Sequence, residues 1–241
     1  MKAIHVPQIN ARYWVAIAMA SVFGTNMGDL YAHDSGLGII GGLPVLAAIV
    51  AVAYFLERRD DRQHEAWYWL AIIVIRTGAT NIADYLCGRR YVGLNRFALS
   101  AGLAVLIATL AWRRTTARAD TSGLPQTDAK YWLAMLAAGV LGTALGDALQ
   151  RLIGSVTASV ALTALLIAIL LFGSRRRIQT VYFYWLAVAV ARTAGTAIGD
   201  LAAENKELNI GLNVSTLITG FVFVSVLLFW RSAPKLAPAT G

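Results

Sequence analysis

Residues 184–200 read YWLAVAVARTAGTAIGD, and the same frame recurs three more times without a gap. It reads YWVAIAMASVFGTNMGD at 13–29, YWLAIIVIRTGATNIAD at 68–84 and YWLAMLAAGVLGTALGD at 131–147. Each copy opens on Tyr-Trp and closes, sixteen residues after its tyrosine, on an aspartate: Asp29, Asp84, Asp147 or Asp200. Before each aspartate stands Gly/Ala-Thr-x-x-Gly/Ala, which puts Thr25, Thr80, Thr143 and Thr196 four residues upstream of it. Four matches in register are the mark of a repeat protein.

Working outward, each copy lies in one apolar run and is followed by a second. The 241 residues are 58% apolar and 14% charged, with a mean hydropathy of +0.60, where soluble domains are about a quarter charged. Runs near the length of roughly 20 residues that a bilayer core requires lie close to 13–31, 39–56, 67–86, 96–112, 131–149, 156–172, 182–202 and 213–230. The expected fold is an all-α integral membrane protein of eight transmembrane helices, arranged as four parallel two-helix repeats. The repeats span about 12–60, 67–115, 130–178 and 183–231, in a single membrane domain (1–241) whose halves are joined by a linker at 113–130. Because each unit holds two spans, every unit enters from the same side, so the repeat axis runs along the membrane normal.

The net charge of +8 is a topology signal. Loops on the side of the termini carry Lys2, Arg12, Arg58, Arg59, Arg62, Arg113, Arg114, Arg118, Lys130, Arg175, Arg176, Arg177, Arg231 and Lys235. The other side has only Arg89, Arg90, Arg96, Arg151 and Lys206. The positive-inside rule then places both termini in the cytoplasm. No nucleic-acid partner is needed to explain the charge, and the lipid bilayer is the partner expected. All seven tryptophans fall at the cytoplasmic ends of the runs, where an interfacial aromatic belt would put them. One cysteine, Cys87, and three scattered histidines exclude a disulfide framework and zinc motifs. No cofactor motif and no signature of an enzyme is present.

A second level of similarity divides the chain into halves with pseudo-twofold symmetry. Units two and four share Arg76-Thr77 and Arg192-Thr193, and later Gly93-Leu94-Asn95 and Gly211-Leu212-Asn213. Units one and three lack both. The pattern resembles an uncharacterised family of bacterial membrane proteins built from four tandem two-helix repeats of unknown function. The resemblance covers roughly Arg12 to Trp230. It implies the architecture and a bacterial inner-membrane location, and no substrate or catalytic residue.

Residues four apart share a helix face, so each threonine aligns with its aspartate, and Arg76 and Arg192 lie on nearly the same stripe. Beside it runs a stripe of small residues, Gly24/Gly28, Ala79/Ala83, Gly142/Gly146 and Gly195/Gly199, suited to close helix packing. Sixteen residues at 1.5 Å each place the aspartates about 24 Å from the tyrosines, and the arginines about 12 Å, near mid-membrane. Buried arginines should face the interior, where they clamp the halves together or serve an anion or a gate. Their side chains should lean toward the helix N-terminus, away from their own aspartates. The aspartates need compensating partners, either as structural caps or as a converging acidic site. Four carboxylates against two guanidinium groups leave −2, which a small cation would balance. Aspartate and threonine oxygens suit Mg²⁺, Mn²⁺ or Ca²⁺. Asn26 and Asn81 add amides inside the motif, with Asn95 and Asn213 beyond it, all expected to bond between helices. Pro44 predicts a kink or ragged start in the second run. His33-Asp34-Ser35 is expected in a loop with a helix cap.

The functional expectation is a small-solute transporter or channel, most plausibly for a cation, whose path is lined by the motif aspartates and threonines together with Arg76, Arg192, Asn26 and Asn81. The alternative is a non-transporting scaffold or sensor subunit in which the repeated polar residues only hold the bundle. A lipid- or quinone-directed membrane enzyme is a third class.

Overall fold

The computed structural model describes residues 7–59, 65–117, 128–176, 178, 180–204 and 210–230. Most of the expected linker 113–130 lies outside these residues, as do the ends of the first and fourth repeats. Eight helices follow one another: α1 (Ala11–Asp34), α2 (Gly38–Arg59), α3 (Glu65–Cys87), α4 (Arg96–Ala117), α5 (Ala129–Ile153), α6 (Ser155–Arg176), α7 (Val181–Glu204) and α8 (Leu212–Phe229). No strand occurs among the described residues.

Local chemistry starts these helices where the motif begins. Asn10 caps α1 by accepting from the Tyr13 N–H at 3.0 Å, and Asp128 caps α5 by accepting from Tyr131 at 2.8 Å. Such side-chain acceptors satisfy amides that the first helical turn leaves open. Each even helix follows a glycine with positive φ: Gly36 at 72°, Gly93 at 72°, Gly154 at 85° and Gly211 at 76°. That left-handed backbone, easy only for glycine, turns the chain back within a few residues. Asn95 caps α4 through the Ala98 N–H at 3.1 Å, which replaces the expected interhelical bond. α2 continues through Pro44. α1 extends to Asp34, so His33 and Asp34 belong to its last turn and Ser35 is its C-cap.

The odd helices form an inner ring in the order α1–α3–α5–α7, closed by α7 against α1. The small-residue stripe of each lies where the next one approaches. A Cβ added to Gly28 would meet Thr80 Cβ at 2.7 Å, one on Gly146 would meet Thr196 Cβ at 2.9 Å, and one on Gly195 would meet Ser21. Across the remaining seam Gly139 approaches Ala79. The even helices lie outside this ring. Each packs mainly on the first helix of the following unit: α2 on α3, α4 on α5, α6 on α7 and α8 on α1. The units therefore interlock rather than stand as separate hairpins.

Exposure follows the same division. The central windows of α3, α5 and α7 are 61%, 67% and 61% buried, while those of α2, α6 and α8 are 17%, 28% and 17% buried. The outer faces are rich in Leu, Val, Ile and Phe, and these six helices are long and apolar enough to cross a membrane. α1 falls short of that hydropathy and α4, over its described side chains, of that length. α1 spends its length on inward polar groups such as Ser21, Thr25, Asn26 and Asp29, and the apolar stretch of α4 covers only Arg96–Trp112.

Candidate functional site

The inward faces of the odd helices present side chains every fourth residue from the motif tyrosine, and these stack as successive layers along the ring. The first layer is Tyr13, Tyr68, Tyr131 and Tyr184, all at most 4% exposed. Their hydroxyls close a four-membered ring: 2.9 Å between Tyr13 and Tyr68, 2.7 Å to Tyr131, 2.8 Å to Tyr184 and 2.6 Å back to Tyr13. A phenol can donate once and accept, so a ring running one way round satisfies all four.

Around it the motif tryptophans wedge between neighbouring tyrosines. Each meets its own tyrosine edge-on, with ring centroids 5.1–5.3 Å apart. Each also lies 5.5–5.8 Å from the next one, as Trp14 with Tyr184, Trp69 with Tyr13, Trp132 with Tyr68 and Trp185 with Tyr131. This corrects the belt expected of all seven tryptophans. Trp14, Trp69, Trp132 and Trp185 form an aromatic girdle that gains more from edge-to-face contact inside the ring. Trp112 and Trp230, on α4 and beyond α8, remain exposed.

The second layer, Ile17, Ile72, Met135 and Val188, is apolar and buried. The third is Ser21, Arg76, Gly139 and Arg192. Both arginines are 0% exposed. Ser21 and Gly139, at the same level of units one and three, are small enough to leave them room. The arginines diverge from there. Nη2 of Arg76 donates to Thr25 and Thr196 Oγ1, both at 2.6 Å, and Nη1 donates to Thr143 Oγ1 at 2.8 Å and to Thr80 Oγ1 and the Gly139 carbonyl at 3.2 Å. One guanidinium thus holds all four motif threonines, which make up the fourth layer. Arg192 turns the other way, with Nη1 on Ser21 Oγ at 3.3 Å and Nη2 3.2 Å from Met135 Sδ. Nε of each arginine has no partner among the described residues.

The expected lean toward the helix N-terminus therefore fails for Arg76, which reaches forward to Thr80 on its own helix. Two like charges at one level repel by 332/(εr) kcal/mol, and opposite rotamers part them. Neither arginine bonds a motif aspartate among the described residues; Asp200, Asp29 and Asp147 act on Arg76 only through space.

Beyond the threonines the axis widens into a cavity of about 570 Å³. Thr25, Thr80 and Thr143 form its floor, the four motif aspartates its wall, and His33, Arg151 and Glu204, one layer further, its rim. The aspartates do converge, but unequally. Asp147 pairs with Arg96 at 3.3 Å and Asp200 accepts from Gln150 Nε2 at 2.6 Å. The carboxylates of Asp29 and Asp84 accept no hydrogen bond among the described residues. No group of three Asp, Glu, His or Cys side chains among the described residues is arranged to hold a metal ion.

Asn26 and Asn81 do not line the cavity. Asn26 Nδ2 bonds Ser215 of α8 at 2.7 Å, and the buried Asn81 amide has no partner among the described residues. Sequence reasoning missed the tyrosine ring, Ser21, Gly139, Arg96 and Gln150. The signal for the first three was present, because they fall on the same four-residue step that links arginine, threonine and aspartate.

The chain matches no curated protein and no solved structure. The segments opened by Tyr13 and Tyr184 do match a family model. That model, Repeat of Unknown Function (DUF347), matches the chain twice, over residues 12–63 and 183–235.

Proposed function

We propose that this protein is a membrane transporter or channel for a small cationic solute, which enters through the acidic cavity. In this reading all eight helices cross the bilayer, the four units and two halves are related by an axis along the membrane normal, and both termini face the cytoplasm of a bacterial inner membrane. The cavity then opens outward. The observation that carries the reading is that all four motif aspartates line one cavity at the end of a polar axis. Asp29 and Asp84 are the groups free to meet a solute. A cavity of several hundred Å³ suits a hydrated ion or a small organic cation, and the lack of a metal cluster among the described residues disfavours a directly coordinated bare ion.

Below the threonines, Arg76, Arg192, the apolar layer and the tyrosine ring fill the axis, which corresponds to a closed state. The same filling favours the second reading, a scaffold or sensor subunit whose polar column only locks the ring. Flux into proteoliposomes separates the two. The wild type and the Asp29→Asn/Asp84→Asn variant are compared with Mg²⁺, Mn²⁺, Ca²⁺, K⁺, guanidinium, ethylammonium and a proton gradient. Transport is expected in the wild type and its loss in the folded variant; no flux of any cation sinks the proposal in favour of the scaffold.

A further inference from the structure

Thr25, Thr80 and Thr196 each donate their own hydroxyl proton to the backbone carbonyl four residues earlier, to Ser21 at 2.9 Å, Arg76 at 3.4 Å and Arg192 at 3.2 Å. With the protons turned into the helices, lone pairs face the axis. Their occupant here is the terminal part of the Arg76 guanidinium, held by four hydroxyls and the Gly139 carbonyl. Thr143 has no such carbonyl bond among the described residues and lies 3.5 Å from Thr80 Oγ1, so three of the four hydroxyls have spent their donors, and a ring so weighted toward acceptors suits a cation that donates hydrogen bonds better than an anion. It forms the floor of the acidic cavity, so a solute from the cavity meets it next. Asp200, Asp29 and Asp147 act electrostatically on whatever charge sits there.

We propose that the threonine ring is the inner subsite for an organic cation of guanidinium type, and that Arg76 fills it in cis as a tethered plug which such a cation displaces. The proposal rests on the transport reading for its physiological meaning, while the subsite itself is tested by binding alone.

Arg76→Ala removes the occupant and leaves the acceptors and the carboxylates without their cation. Unfolding in detergent is followed by a thiol-reactive dye on Cys87, the single cysteine, which is buried. Guanidinium chloride at about 10 mM should raise the midpoint of Arg76→Ala by about 3 °C. It should leave the wild type unmoved, and it should lose its effect when Thr25→Val and Thr196→Val are added. Tetramethylammonium at equal ionic strength, a cation with no N–H donor, should do nothing. An equal shift by tetramethylammonium, an equal shift in the wild type or a shift that survives the valine substitutions overturns the subsite. If Arg76→Ala does not fold, Arg76→Ser, neutral and short enough to vacate the ring, goes through the same titration, and an unmoved midpoint there overturns it too. Guanidinium binding to the variant without wild-type flux would defeat the transport reading and leave the subsite. Flux without that binding would defeat the subsite alone.

Discussion

Arg76 and Arg192 stand eight residues after equivalent tyrosines, in the same frame, on helices of the same inner ring. One reaches up to four threonines and a carbonyl, and the other settles down against a serine and a thioether. Local sequence is alike at both, so the difference comes from the assembly: the axis has one place for a cation at the threonine level, and the second guanidinium is pushed toward the tyrosines. The ring is thus repetitive in sequence and polar along its axis. Its upper end is acidic and open, and its lower end is closed by bonded phenols.

The largest effect expected is at that pair. Arg76→Met should cost about 3 kcal/mol, because it strips the cation from four buried acceptors and removes the positive charge nearest the half-buried carboxylates. Arg192→Met should cost at most about 1 kcal/mol, since it also relieves Arg76 of a like charge. Thermal unfolding of both in one detergent measures the gap, and equal losses would break the comparison.

Next come the packing notches. A Cβ on Gly142 would meet the Arg192 backbone at 2.8 Å and 3.0 Å, whereas one on Gly24 would meet side-chain carbons of Arg76, the nearest backbone atom being 3.7 Å away. Gly142→Ala should therefore lose about 2 kcal/mol and Gly24→Ala only somewhat less, because the Arg76 Cβ it meets moves only with its own backbone and the side chain beyond is held by hydrogen bonds. Denaturant titration that ranks them the other way contradicts this packing.

At the closed end, Tyr131→Phe removes the hydroxyl that bonds Tyr68 and Tyr184 and should cost about 1 kcal/mol. The smallest contrast lies among the aspartates. Asp147→Asn forfeits its partly exposed pair with Arg96, worth about 0.5 kcal/mol. Asp84→Asn gives up no hydrogen bond and relieves acid repulsion, so its midpoint should stay level or rise. A fall for Asp84→Asn larger than that for Asp147→Asn would show that Asp84 carries structural weight the geometry does not assign to it.

Much of this was legible in the sequence. The sixteen-residue frame, the threonine–aspartate stripe and the small-residue stripe all follow from helix geometry, and the structure puts them on the faces that geometry requires. The tyrosine ring was equally encoded, but a Tyr-Trp pair at the start of an apolar run also satisfies the membrane interface, and composition alone does not separate the two. The order of the inner ring and the seating of each even helix on the next unit depend on contacts between units, which no single repeat contains. The direction of Arg76 was read wrongly because a rotamer preference of one helix was weighed without the acceptors that three other helices supply.

The central claim is an axis open to an acidic cavity and closed from the arginine layer downward. Its most direct test is thiol accessibility in a Cys87→Ser background, with Asp84→Cys in the cavity and Met135→Cys below the arginines. The account predicts rapid modification of Asp84→Cys, at least about tenfold faster by a cationic methanethiosulfonate than by an anionic one, because acidic walls focus positive charge. It predicts no modification of Met135→Cys in the folded protein. Modification of Met135→Cys at the rate of Asp84→Cys, or a preference of Asp84→Cys for the anionic reagent, would contradict it.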